Sequence, residues 1–243
     1  SGMVRDAFAR AAGIGAVTVE KVHRIQALFP SQRVMWTPNS VDSSRWELLP
    51  ADSARRDEVR GLLDAREGVR VFGLFGELKA KKRIPFWLEA VRDAGLLEQI
   101  RLLAVGTLDA PTAAILDDPA IAPRSVRIPF CPPDQLAGLY AAADFVAIPS
   151  MYEGMPNVLL EAMACGVPPV ASDAGAMREV IADGETGFLF ASENRDEAGR
   201  ATARALALSD GELSTMSTGV RDHVASAYSL ERELDTLCEL MGV

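Results

Sequence analysis

Two glutamates separated by seven residues, Glu153 and Glu161, and a run of cations at Lys79, Lys81, Lys82 and Arg83 have the types and spacing to do chemistry. Glu153 lies in the loop Pro149-Ser150-Met151-Tyr152-Glu153-Gly154-Met155-Pro156, and Glu161 in the apolar stretch that begins at Asn157. An apolar strand, Phe145-Val146-Ala147-Ile148, feeds this loop. Pro156 marks the first turn of a helix, where a missing N–H costs nothing. The amides of Asn157, Val158 and Leu159 are then expected free at a helix N-terminus, an anion site at the carboxyl end of a strand. Gly154 and Met155 complete the loop beside it. By helix rise the two carboxylates stand roughly 10 Å or less apart, so they can reach two parts of one long ligand. A carboxylate accepts hydrogen bonds from a pair of sugar hydroxyls. The plainer reading makes Glu161 a solvated helix residue or half of an i,i+4 ion pair. Its i±4 neighbours are Asn157 and Cys165, and Leu159, Leu160, Ala162 and Met163 surround it, a poor setting for an idle charge.

The cations sit in Gly76-Glu77-Leu78-Lys79-Ala80-Lys81-Lys82-Arg83, directly after the apolar run 69–75. Four positive side chains against one acid form a concentrated basic spot in a chain of net charge −9. A solvated basic loop is the plain alternative. Placement at a strand's carboxyl end, beside a helix N-terminus, favours phosphate binding.

These groups need a scaffold, and the chain supplies one. From 69 onward, apolar runs at 69–75, 100–105, 125–129, 144–148, 168–172 and 186–190 alternate with helical patterns. The helices are expected at 84–94, 110–117, 133–143, 156–165 and 175–182. The first run is almost continuously apolar, as in a central parallel strand covered on both faces. Such alternation predicts an α/β fold, a Rossmann-like doubly wound parallel sheet that binds ligands at the carboxyl ends of its strands. Gly76, Gly106 and Phe130 close three of these strands and should converge on Glu153. Before this core, Ser1-Gly2-Met3 reads as a cloning remnant. A short helix at 4–12, a strand at 16–19, a helix at 20–28, a strand at 33–37 and a polar linker at 43–60 that ends in a helix follow. After the core, 195–242 reads as helices broken near 209–211 and 228–229. The last helix, 230–241, carries one apolar stripe (Leu230, Leu234, Leu237, Cys238, Met241).

At 49% hydrophobic and 24% charged, the 243 residues have an ordinary globular composition. The acidic balance argues against nucleic acid, whose phosphates need a basic face. No apolar run reaches membrane-spanning length and no signal-peptide pattern is present, so a cytoplasmic setting is expected. Cys131, Cys165 and Cys238 are too few and too scattered for a disulfide framework or a zinc site, and a reducing compartment suits them. His23 and His223 stand apart from any nucleophile or acid motif. Asp117-Asp118 lacks D-x-D spacing and reads as a helix end.

The sequence Glu153, seven residues, Glu161, then Ala162-Met163-Ala164-x-Gly166-x-Pro168 closely resembles the signature of the retaining glycosyltransferases of family 4. Pro38-Asn39-Ser40-Val41-Asp42 is similar to the turn that opens their second domain, with Ser40 in place of glycine. Ser172-Asp173-Ala174-Gly175-Ala176 with Glu179 resembles a Gly-Gly-x-x-Glu segment. The loop after the first core strand resembles Gly-Arg-Leu-x-x-x-Lys-Gly, with Lys82 on the lysine, Glu77 on the arginine and Arg83 on the glycine. The resemblance implies the two-domain GT-B fold and assigns 39–227 to its nucleotide-sugar (donor) domain. Residues 1–38 would be the end of the acceptor domain and 228–243 a crossover helix. It further implies that Lys82 and the helix amides stabilise the departing diphosphate, Glu153 orients the sugar, Glu161 holds the ribose and Phe130 lies by the base. A UDP-, GDP- or ADP-linked sugar is then a co-substrate, with no cofactor or metal. The acceptor (glycan, lipid or small molecule) stays open, and a lipid acceptor would put the whole protein at the inner membrane face. Without the acceptor domain, the last helix should pack on 1–30 or form a dimer with another chain. Glu77 beside a diphosphate would be repelled by several kcal/mol at short range in a low-dielectric cleft, by rough Coulomb arithmetic. That leaves open a non-catalytic sugar-nucleotide module, and a sugar-nucleotide epimerase of the same fold is the other alternative.

Overall fold

The computed structural model describes residues 2–46 and 50–242; residues 47–49 of the expected linker and Ser1 of the expected remnant lie outside them. The N-terminal segment holds α1 (Gly2–Arg10), β1 (Ile14–Ala16), α2 (Val19–Leu28) and β2 (Val34–Trp36), with β1 and β2 paired in parallel. β1 ends at Ala16, the first residue of the predicted strand 16–19, because Thr18 is spent otherwise. It is the extended N-cap of α2, its Oγ1 accepting the Lys21 amide at 3.2 Å.

The chain then alternates as the apolar runs require: α3 (Pro50–Leu62), β3 (Arg70–Phe75), α4 (Ile84–Asp93), β4 (Ile100–Val105), α5 (Ala110–Leu116), β5 (Ser125–Ile128), α6 (Leu136–Ala142), β6 (Phe145–Ile148), α7 (Asn157–Ala164), β7 (Pro169–Ser172), α8 (Met177–Val180) and β8 (Phe188–Phe190). Three helices close it, α9 (Arg195–Leu206), α10 (Asp210–Ala227) and α11 (Leu230–Met241). The six core strands are parallel in the order β5-β4-β3-β6-β7-β8. The chain builds outward from β3 to β5, returns to the other side of β3 as β6, and builds outward again. The crevice between the carboxyl ends of β3 and β6 is the topological switch point, where doubly wound sheets bind ligands.

Aromatic packing fixes that junction. Phe72 of β3 stacks on Phe145 of β6 at 5.3 Å between centroids, in register, and lies 5.3 Å from Trp87 of α4. Asp144 Oδ2 accepts the Val71 amide at 2.7 Å, pinning the start of β6 to β3. The buried Trp87 satisfies its indole N–H on Thr202 Oγ1 of α9 at 3.0 Å. Truncating such a ring to alanine costs about 3–5 kcal/mol. Ser209 and Glu212 form a capping box that ends one C-terminal helix and starts the next. α11 packs back on the N-terminal segment. Gly13 approaches it so closely that a Cβ there would sit 2.7 Å from Leu240 Cδ1, and Arg33 pairs with Glu239 at 3.2 Å. Leu230, Leu234 and Met241 face away and are exposed.

Candidate functional site

β3 ends at Gly76 (φ 94°) and β4 at Gly106 (φ 123°), and both conformations suit glycine. A Cβ on Gly106 would lie 2.1 Å from the Gly76 carbonyl oxygen, so only glycine lets the two strand ends pass this closely. After Gly76 the chain tightens into a 3-10 turn at Ala80–Lys82 and leaves through Arg83 in left-handed geometry (φ 51°, ψ 36°). That conformation costs a non-glycine residue roughly 1–2 kcal/mol and explains the glycine at this place in the sequence pattern that the loop resembles.

The turn directs Lys82 inward. Its Nζ lies 2.7 Å from Glu153 Oε1, with side chains only 13% and 9% exposed. Ser150 Oγ donates to the same oxygen at 2.9 Å, and Ser172 Oγ donates to the Ser150 carbonyl at 2.6 Å. The Met151 amide donates to the Lys81 carbonyl at 2.8 Å, lacing the loop after β6 to the loop after β3. Gly175 (φ 60°) supports the loop from below: a Cβ there would fall 1.9 Å from the Glu153 carbonyl oxygen.

The other charges of the basic loop are disposed differently. Glu77 and Lys79 pair at 2.8 Å, both exposed, and the Lys79 contact holds the Glu77 carboxyl below its usual range. Arg83 donates to the Ser192 carbonyl and lies 4.0 Å over the Phe86 ring, so it is turned away from the crevice. Lys81 is exposed and has no ion-pair partner among the described residues.

At the carboxyl ends of β3 and β4 opens a cavity of about 290 Å³, walled by Phe75, Gly76, Glu77, Gly106, Phe130, Tyr140, Val158 and Glu161 among others. Its wall is mostly apolar, with two carboxylates, Glu161 and the exposed Glu77. Burial raises the Glu161 pKa, while a hydrogen bond from Tyr140 at 2.8 Å to Oε2 works against that rise. Tyr140 is buried, and desolvation together with the neighbouring carboxylate pushes its phenol well above the ordinary value, so it remains a donor. Phe130, 77% exposed, stands at the mouth.

The structure brings Gly76, Phe130, Val158 and Glu161 around one cavity and places Lys82 against Glu153 outside its lining. Asn157 is partly committed elsewhere: Asn39 Nδ2 donates to its Oδ1 at 3.0 Å and to the Met155 carbonyl at 2.7 Å. Met155 is buried, and the Gly154 carbonyl accepts the Ala176 amide at 3.0 Å. Two expectations need correction. Pro156 is the N-cap of α7 and not its first residue. The Leu159 amide is not free, because it donates to the Pro156 carbonyl at 3.0 Å in a tightened first turn. The amides of Asn157 and Val158 carry no acceptor among the described residues. Sequence reasoning did not single out Tyr140, Ser150 or the Asn39 contacts. A tyrosine inside an otherwise apolar helical stretch needs a partner for its hydroxyl, and that was the available signal. Burial pushes the Cys165 thiol up to about 12, which leaves it a protonated, packed side chain. Among the described residues no group of three or more histidines, cysteines or acids could hold a metal ion, and no helix is long and apolar enough to cross a membrane.

A basic loop, a helix N-terminus and a mostly apolar cavity with carboxylates in its wall thus lie at the switch point of a doubly wound sheet, where such folds bind ligands. Residues 69–208 match the family of glycosyl transferases group 1, and the chain belongs to that family. The D-inositol 3-phosphate glycosyltransferase of Geodermatophilus obscurus is 33% identical over 225 residues, covering 85% of this chain and 46% of that protein. Its counterpart in Actinosynnema mirum is 30% identical over 222 residues, covering 86% and 52%. The chain thus spans about half the length of the curated relatives it matches. Sucrose-phosphate synthase from Thermosynechococcus elongatus shares the fold with a TM-score of 0.82 at 22% identity, covering 99% of this chain and 60% of that one. Anabaena HepE in complex with UDP-glucose gives 0.81 at 21%, covering 98% and 67%. These likenesses bear out the Rossmann-like half of a GT-B glycosyltransferase that the sequence resembles.

Proposed function

We propose that this chain is the donor-binding half of a retaining glycosyltransferase, a cytoplasmic enzyme that moves a sugar from a nucleoside diphosphate to an acceptor held by a second α/β unit. The observation that carries the reading is the buried Lys82–Glu153 pair, held on the loops after β3 and β6, whose neighbours Gly76 and Val158 wall the cavity that contains Glu161. A lysine ammonium has three N–H donors. One is on Glu153, and the others are available to the departing diphosphate together with the Asn157 and Val158 amides. Glu153, anchored by Ser150, orients the transferred sugar, and Glu161 receives the ribose hydroxyls while the base lies toward Phe130. The bond from the sugar C1 to the diphosphate oxygen breaks with its electron pair leaving on that oxygen. The acceptor oxygen bonds to C1 on the same face and passes its proton to the departing diphosphate oxygen. The positive charge around the leaving group comes from the protein, so the reaction needs no metal.

Glu77 lines the same cavity, but it does not stand against this reading, since its charge is matched by Lys79 and both side chains are exposed. UDP is the first nucleotide to try because HepE was solved with UDP-glucose. D-inositol 3-phosphate is the first acceptor to try, because the curated relatives named above carry it in their names. Ligand at about a hundred times its Kd adds roughly 2.7 kcal/mol to folding stability. In a protein of this size that raises Tm by about 5–11 °C. UDP, GDP, ADP and their sugar conjugates are screened by thermal unfolding at millimolar concentration, with and without chelator. The proposal expects one base to shift Tm equally in both conditions. A folded protein that none of them shifts would sink it.

A further inference from the structure

The wall of the cavity facing Glu161 contains a side chain with no assigned role. Tyr140 is buried, yet its hydroxyl donates to a carboxylate of the cavity wall, 2.8 Å from Glu161 Oε2. The ring is clamped on two sides. Phe75, the last residue of β3, stacks on it at 4.0 Å and 26°, and Trp46 meets its edge at 5.5 Å. Trp46 is itself tied to α7, since its carbonyl accepts a 3.8 Å contact from Cys165 Sγ, one turn beyond Glu161. The other oxygen of Glu161, Oε1, has no protein donor among the described residues. An ionised carboxylate oxygen accepts more than one hydrogen bond, so a group that fills one site on Oε2 fixes the rotation of the carboxylate and leaves the rest of its capacity to a ligand.

We infer that Tyr140 is a positioning residue for nucleoside recognition: its hydroxyl holds the Glu161 carboxylate in the orientation that receives the two ribose hydroxyls. This rests on the donor-binding reading above and deepens it, because it makes affinity for the ribose depend on a group that does not touch the ligand. A buried carboxylate without that donor would be free to rotate and less ready to ionise, as the opposing effects of burial and of the Tyr140 hydrogen bond indicate. The tyrosine is isosteric with phenylalanine apart from the hydroxyl, so Tyr140→Phe keeps the stack with Phe75 and Trp46.

The test compares binding of UDP, GDP and ADP with that of their 2′,3′-dideoxy counterparts, by titration calorimetry, for wild type, Tyr140→Phe, Glu161→Gln and the double variant. The base that wild type binds is carried forward, and failure of all three overturns the donor-binding reading before Tyr140 is questioned. Tyr140→Phe is expected to weaken the ribonucleotide about five- to tenfold and leave the dideoxy form within twofold, the scale of an ordinary hydrogen bond, because the lost contact acts through Glu161 and not on the ligand. In the Glu161→Gln background the same substitution should change ribonucleotide affinity by less than twofold. The acid limb of the ribonucleotide affinity–pH profile should move to higher pH in Tyr140→Phe, because the bond that favours the charged carboxylate is gone. Equal loss for both nucleotide forms would mean that Tyr140 acts only through packing, and no loss for either would mean that Glu161 is held without it. Either result overturns the inference.

Discussion

Replacing Lys82 with methionine keeps the length of the side chain and removes its charge. It leaves Glu153 9% exposed, with Ser150 Oγ at 2.9 Å as its remaining side-chain donor. Breaking a buried ion pair from one side costs about 3–5 kcal/mol, because the desolvated partner keeps its charge and loses its compensation. The pair lines an open crevice, so the lower end, about 3 kcal/mol, is the expected loss. At about 2–4 °C per kcal/mol for a protein of this size, that is a fall in Tm of about 6–12 °C. Lys79→Met is the control, since Lys79 pairs with Glu77 at a similar distance but in solvent; it should cost about 1 kcal/mol or less. Neutralising both members of the buried pair, Lys82→Met with Glu153→Gln, should return most of the stability while abolishing the nucleotide-induced shift. Urea unfolding at constant pH reads all four proteins. Equal costs for the two lysine variants would refute the desolvation argument, and so would a double variant no more stable than Lys82→Met.

Gly106→Ala sets a Cβ 2.1 Å from the Gly76 carbonyl oxygen at a positive φ, and is expected to lower Tm and to abolish the nucleotide-induced shift by forcing the two strand ends apart; a wild-type shift would refute it. Glu161→Gln should raise stability near neutral pH while weakening nucleotide binding. The folded-state pKa of Glu161 is raised by burial, so ionising it penalises the fold at pH above that value and the penalty disappears as pH falls through it. The stability gap between Glu161→Gln and wild type should therefore close on acidification, and a gap that widens would contradict the assignment. Leu230, Leu234 and Met241 are exposed on α11, and a second copy of the chain meeting them should give a concentration-dependent mass in light scattering that Leu234→Glu removes. A wild-type mass that stays monomeric across the range would exclude that contact.

The order of the core elements was legible because each was announced locally. Near-continuous apolar runs marked buried parallel strands, and the break near 209–211 marked a helix boundary that the structure builds as a capping box of Ser209 and Glu212. The loop of Glu153 and the helix of Glu161 were legible for the same reason, since strand, turn and helix start all lie within one stretch of chain. What the sequence could not place was whatever depends on which strand lies beside which. β6 returns to the side of β3, not to β5, and that choice alone brings Glu153 onto Lys82 across 71 positions of sequence. The same return sets α6 beside α7, so that the Tyr140 hydroxyl reaches Glu161, and brings Asn39 to Asn157 from 118 residues away. The start of α2 failed locally as well: Ala16-Val17-Thr18-Val19 has strand composition, yet Thr18 is drawn out as a cap and the Val19 amide is taken by Glu179 Oε1 at 2.8 Å. Propensity over a few residues is worth tenths of a kcal/mol, and a cap supplied from across the fold outweighs it.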